Sequence, residues 1–136
     1  MKPDHSSDEP VFQQLASSVR QAVASGVYGP GDSIPSIRSQ AVKLRINPNT
    51  VKRAYEELQR EGVLEFRPGL GLFVTARAVE LSRTRAAEDV RAMLERGVRA
   101  GLHASLGKRE IDGAYAAAFE MAARSVRGKE AGDAES

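Results

Sequence analysis

Ile46-Asn47-Pro48-Asn49-Thr50-Val51-Lys52-Arg53-Ala54-Tyr55-Glu56-Glu57-Leu58 is the stretch on which the reading of this chain turns. Asn47 carries the short acceptor that suits an N-cap, and Pro48 fits the first helical position, where a missing N–H is no loss. Val51, Ala54, Tyr55 and Leu58 then recur at three and four, which makes one apolar face. The other face begins with Asn49, Thr50, Lys52 and Arg53. Small donors and acceptors followed at once by cations, at the start of a helix, are shaped to enter a DNA major groove. The plain alternative is a solvated face carrying two chance cations, and the neighbouring segments decide between the two.

Upstream, Val11, Phe12, Leu15, Val19, Ala22 and Val23 form a stripe that predicts a helix over residues 10–25, with Gly26 just past its end. Gly26-Val27-Tyr28-Gly29-Pro30-Gly31-Asp32 is turn chemistry. Ser33 and Ile34 suit a very short strand. Ser36 can cap a second helix, to about Lys43, with Ile37, Ala41 and Leu44 inward. Arg45 to Asn47 is then the tight turn of a helix-turn-helix unit. Downstream, Gly62 closes the opening helix. Val63, Leu64 and Phe66 pair across Pro68-Gly69 with Gly71, Leu72, Phe73 and Val74. Proline then glycine is what a type II turn needs at its two centres. A hairpin in that place makes a winged helix, with Ser33–Ile34 as a possible third strand.

From Arg77 the composition shifts to alanine, arginine and glutamate, and no proline follows. A long helix over residues 79–106 carries Ala87, Val90, Leu94, Val98 and Leu102 on one stripe. Gly97 and Gly101 weaken it by about 1 kcal/mol each relative to alanine, and Gly107 ends it. A second helix over residues 108–127 carries Ile111, Tyr115, Ala118, Phe119, Ala122 and Val126. The expected organisation is a flexible arm at 1–9, a winged helix-turn-helix domain at 10–76, a helical dimerisation region at 77–127 and a disordered tail at 128–136. The fold class is mainly α with a small β wing. Two striped helices cannot bury both stripes on one small domain, so a second copy is expected to cover Val90, Leu94, Val98, Leu102, Ile111, Tyr115 and Phe119.

A length of 136 residues, 41% apolar and 28% charged, allows one modest core and an accessory element. The net charge of +2 is too small to argue for a nucleic-acid partner, so its distribution matters more. Between Val11 and Thr75 there are eight basic residues (Arg20, Arg38, Lys43, Arg45, Lys52, Arg53, Arg60 and Arg67). The five acids there are Asp32, Glu56, Glu57, Glu61 and Glu65, mostly behind the basic cluster. The chain has no cysteine, which excludes disulfides and thiolate chemistry, and its two histidines lie far apart. No phosphate loop, nucleophile elbow or metal-ligand cluster is present, so no enzyme, cofactor or metal is expected. No apolar run reaches the ~18 residues that span a bilayer, and the acidic, polar start is no secretory signal; a cytoplasmic protein is expected.

Taken together, these motifs resemble the DNA-binding domain of the GntR family of bacterial transcription regulators. The resemblance rests on Pro10 to Gln14, on Gly26 to Arg38, on Asn47 to Tyr55 and on Glu61 to Val74. The asparagine-proline-asparagine-threonine-valine run and the short helical C-terminal half are most similar to the YtrA subfamily. The resemblance implies a homodimer that binds a double-stranded, inverted-repeat operator and represses transcription. It places DNA contacts on Arg38, on Asn47, Asn49, Thr50, Lys52 and Arg53, and on the wing at Arg67 and Gly69. The wing departs from the family pattern, because Leu70 and Leu72 stand where a lysine and a threonine are common. That implies fewer donors on the wing. The rival is a winged-helix module that binds a protein partner through its C-terminal helices. The sequence names neither an operator nor an effector.

Overall fold

Helix ends in this chain are set by short-range chemistry, and the elements follow from them. The computed structural model describes residues 10–135, with side chains to Lys129; the arm expected at residues 1–9 lies outside the described residues. The order is α1 (Val11–Ala24), α2 (Ile37–Leu44), α3 (Pro48–Arg60), β1 (Leu64–Arg67), β2 (Gly71–Val74), α4 (Ala78–His103) and α5 (Lys108–Glu135). Ser36 caps α2 by accepting the Ser39 N–H at 3.1 Å, and Asn47 caps α3 with Pro48 behind it. At their C-termini, α1, α2, α3 and α4 close alike, with a residue of positive φ and a backbone bond spanning six residues. The donors are Val27, Ile46, Val63 and Leu106, and their acceptors Ala22, Ala41, Leu58 and Gly101. Gly26 and Gly62 supply the positive φ in α1 and α3. Arg45 (φ 56°) and Ser105 (φ 64°) take it in α2 and α4, without glycine's freedom.

The core of the first unit is the meeting of α1 and α3. Leu15, Val19 and Val23 face Val51, Ala54, Tyr55 and Leu58, and all seven are buried. A fully buried leucine or valine contributes about 1.5–3 kcal/mol, which is what fixes α3 on the domain. The Tyr55 hydroxyl donates to the Pro35 carbonyl at 2.9 Å and so ties α3 to the segment before α2. The hairpin pairs Leu64 with Val74 through Arg67 with Gly71, antiparallel. Gly69 has φ 77°, and the Leu70 N–H donates to the Arg67 carbonyl at 2.9 Å, as a type II turn requires. The third strand is smaller than expected. It reduces to an isolated bridge between Ser33 and Phe73, supported by the Ile34 N–H to Leu72 carbonyl bond at 3.0 Å. Pro35 follows at once and the chain turns into α2.

The expected boundary at 76 moves. The first compact unit extends to Asp89 and the second begins at Val90. Ala78 and Ser82 are fully buried, and Val79 and Leu81 pack on the core. Glu61, at the end of α3, takes two hydrogen bonds from Arg20 of α1 (2.9 and 2.7 Å) and one from Arg85 of α4 (3.0 Å). The start of α4 is therefore part of the winged domain.

In the second unit the large apolar side chains remain exposed. Ile111 lies over Gly101, where an added Cβ would meet its Cδ1 at 3.0 Å. Tyr115 and Phe119 touch ring to ring, with centroids 6.2 Å apart. The expected disordered tail is corrected: α5 continues through Gly128 to Glu135. Gly128 and Gly132 each cost about 1 kcal/mol relative to alanine, and the lysine, glutamates and alanines around them are good helix formers. Gly107, expected to end α4, instead precedes α5, and its N–H donates to Glu110 at 3.0 Å.

Candidate nucleic-acid interface

The first turn of α3 is built by its own residues. Asn47 is extended (φ −62°, ψ 132°), and its Oδ1 accepts the Asn49 N–H at 2.8 Å. The cap occupies the Asn47 carbonyl and leaves its NH₂ as the group free to meet a partner. Asn47, Asn49, Thr50 and Arg53 line one open groove of about 310 Å³, completed by Val11 and Phe12 from the start of α1. The Arg53 guanidinium carbon sits 3.9 Å from the centre of the Phe12 ring. Lys52 is exposed beside this groove, and its ammonium is 3.9 Å from Glu56. At that separation and exposure the pair contributes little and leaves Lys52 available.

Charge is segregated along the chain. From Ser33 to Tyr55 there are five cations (Arg38, Lys43, Arg45, Lys52 and Arg53) and no carboxylate. Arg38 is exposed on the first turn of α2, and among the described residues no ion pair engages Arg38, Lys43 or Arg45. Acids gather at the far end of α3, where Arg60 holds Glu57 and both Arg20 and Arg85 hold Glu61, while Glu56 has its weak pair with Lys52. The hydrogen bond from Arg60 holds the Glu57 carboxyl below its usual range. One end of α3 is thus positive and open, while the other is internally neutralised.

The wing contributes less charge. Arg67 is engaged twice, by Glu65 at 2.8 Å and by the Phe73 ring at 4.3 Å. Gly69 turns the tip, where Leu70 is 71% exposed, and Phe66 stands out at 60%. Of the sequence-derived residues, four therefore share one groove, Lys52 lies beside it and Arg38 is on α2. Arg67 and Gly69 are on the hairpin. Spacing marks Phe12 only as a core residue, and its stack with Arg53 has no signature in local spacing. The residues expected to meet a second copy are exposed: Val90 by 52%, Leu94 by 48%, Val98 by 41%, Leu102 by 61%, Tyr115 by 54% and Phe119 by 58%. Ile111 is half-buried by its contact with Gly101. Among the described residues no cluster of acids and histidines could hold a metal, and no helix is long and apolar enough to cross a membrane.

Comparison with known proteins gives a consistent picture. Residues 12–74 match the family described as bacterial regulatory proteins, gntR family. The HTH-type transcriptional repressor YtrA of Bacillus subtilis is 37% identical over 75 residues, which make up 55% of this chain and 58% of that protein. The chain thus spans under two thirds of the length of the curated relatives it first matches. A transcriptional regulator from Oenococcus oeni is similar in structure, with a TM-score of 0.64 at 30% identity, over 83% of this chain and 92% of that one. YtrA from Sulfolobus acidocaldarius, a GntR-family transcription factor, superposes with a TM-score of 0.54 at 26% identity, over 89% of this chain and 97% of that one. These relatives are transcription regulators, not enzymes.

Proposed function

We propose that the chain is a YtrA-like member of the GntR family of bacterial regulatory proteins, a dimeric repressor that binds an inverted-repeat operator in the bacterial cytoplasm. The observation that carries this reading is the capped start of α3, with its polar groove, inside a stretch that has five cations and no carboxylate. Arginine or lysine can take a guanine edge or a phosphate, asparagine an adenine, and threonine a phosphate or a thymine methyl. Arg38, Asn47, Asn49, Thr50, Lys52 and Arg53 are the proposed contacts, with Arg67 and Gly69 on the wing. The half-buried to exposed apolar stripe of α4 and α5 supports a second copy as its cover. A twofold dimer would set two reading helices one helical turn apart, roughly 34–36 Å, on a near-palindromic site.

The test begins by enriching a randomised duplex pool on the full chain, then measuring affinity for the enriched sequence. Lys52→Ala and Arg53→Ala should each weaken binding by about 1–3 kcal/mol where the side chain reads a base. Affinity should fall steeply with salt as counterions are released. If neither substitution changes affinity, α3 is not the reading helix. The exposed Phe66 and Leu70 favour the rival, a winged-helix module that docks a protein partner through its C-terminal helices; that reading wins if no duplex enriches and a stable heteromeric partner is recovered.

A further inference from the structure

Phe12 is the second residue of α1, half-buried, and it packs against the core beneath the domain's surface. The Arg53 guanidinium lies over its ring at 3.9 Å, on the wall of the groove that also holds Asn49 and Thr50. Among the described residues no hydrogen bond or ion pair engages Arg53. The acids nearest to it along α3 are engaged elsewhere, Glu56 by Lys52 and Glu57 by Arg60. A guanidinium set over an aromatic ring spends its π face on that contact and keeps its in-plane N–H donors for another group. A long side chain that would otherwise sample many rotamers is thereby restricted before any partner arrives, and its fork is carried beside the groove-lining Asn49 and Thr50, one helical turn earlier on α3.

We propose that Phe12 is a specificity-positioning residue: its ring pre-sets Arg53 for the two-acceptor edge of a single base pair, a guanine O6/N7 edge, so that the start of α1 belongs to the base-reading device. The inference rests on the DNA-binding reading above. It differs from a packing role in what it predicts. A ring that merely fills the core would affect stability and leave base discrimination alone. A ring that aims Arg53 alters discrimination at one base pair, and only while Arg53 is present.

The experiment uses the full chain and the duplex enriched from the randomised pool, together with every single base-pair substitution of that duplex. Wild type, Phe12→Leu, Phe12→Tyr, Arg53→Ala, Arg53→Lys and the Phe12→Leu/Arg53→Ala double variant are compared. Arg53→Ala should lose about tenfold or more of the discrimination at one base pair of each half-site. Phe12→Leu should lose about two- to fivefold at that same position. Phe12→Tyr should retain it, and Phe12→Leu should add nothing in the Arg53→Ala background. Should Phe12→Leu fold poorly, Arg53→Lys carries the test, because it keeps the charge but loses the planar fork. Full discrimination in Arg53→Lys overturns the proposal. So does a Phe12→Leu effect that is uniform across all duplexes or additive with Arg53→Ala. If wild type enriches no duplex at all, the DNA reading itself fails, which is a different and separately visible result.

Discussion

Tyr55 carries a phenol into the core, and burial, reinforced by Tyr28, raises its pKa well above the ordinary 10. The folded state therefore holds this proton where the unfolded chain has released it. Its contribution to stability is complete below about pH 10 and falls as pH rises beyond that. Tyr55→Phe should cost about 1 kcal/mol near neutral pH, because the bond to the Pro35 carbonyl is lost. It should also flatten the alkaline loss of stability relative to wild type, as read from urea midpoints on both sides of pH 10. An unchanged alkaline slope would mean that Tyr55 is not the group responsible. The burial of Tyr55 was legible from its spacing with Val51, Ala54 and Leu58, whereas its partner twenty residues away was not. Arg45 marks a second limit. Its left-handed backbone closes α2, yet neither glycine nor asparagine stands there to announce it.

Elements were legible where the deciding residues are close in sequence. Asn47, Pro48 and the apolar stripe define α3, and Pro68-Gly69 defines the hairpin turn. The third strand shrank to one bridge, and α5 outran its expected end, because a single proline or glycine signal does not say how far its neighbours persist. The glycines of α4 offer a direct measure of what surrounds each. An added Cβ at Gly97 meets nothing within 4 Å, while at Gly101 it meets Ile111 at 3.0 Å. Gly97→Ala should raise stability by about 1 kcal/mol, and Gly101→Ala by less, since Ile111 must shift. Thermal melts of the two variants at equal protein concentration give the comparison. A loss of stability at Gly97 instead would place a partner's backbone against it.

At the scale of the whole chain, the seam between units was the feature least visible in sequence. Composition changes at Arg77, but Ala78, Ser82 and Arg85 belong to the winged unit, which ends at Asp89. Burial and ion pairing to residues far back in the chain decide this, and neither leaves a local pattern. A chain ending after Asp89 should fold cooperatively and sediment as a monomer, whereas the full chain should sediment as a dimer. A chain ending after Thr75 should unfold at lower denaturant. A dimer from the Asp89 truncation would move the self-association surface into the winged unit.

Glu61 also bears on the order of events in time. The helix-closing bonds span six residues, but Glu61 joins Arg20 across 41 positions and Arg85 across 24. Contacts between such distant residues come late on the way to the native state, after the turns that aim α3. Glu61→Gln should therefore hasten unfolding while leaving the refolding rate nearly unchanged, with a loss of about 1.5–3 kcal/mol falling on the unfolding limb of a chevron plot. The same loss appearing in the refolding limb would mean that this clasp forms early. On the first outcome, a domain under stress would let go of α4 before it disturbs α3.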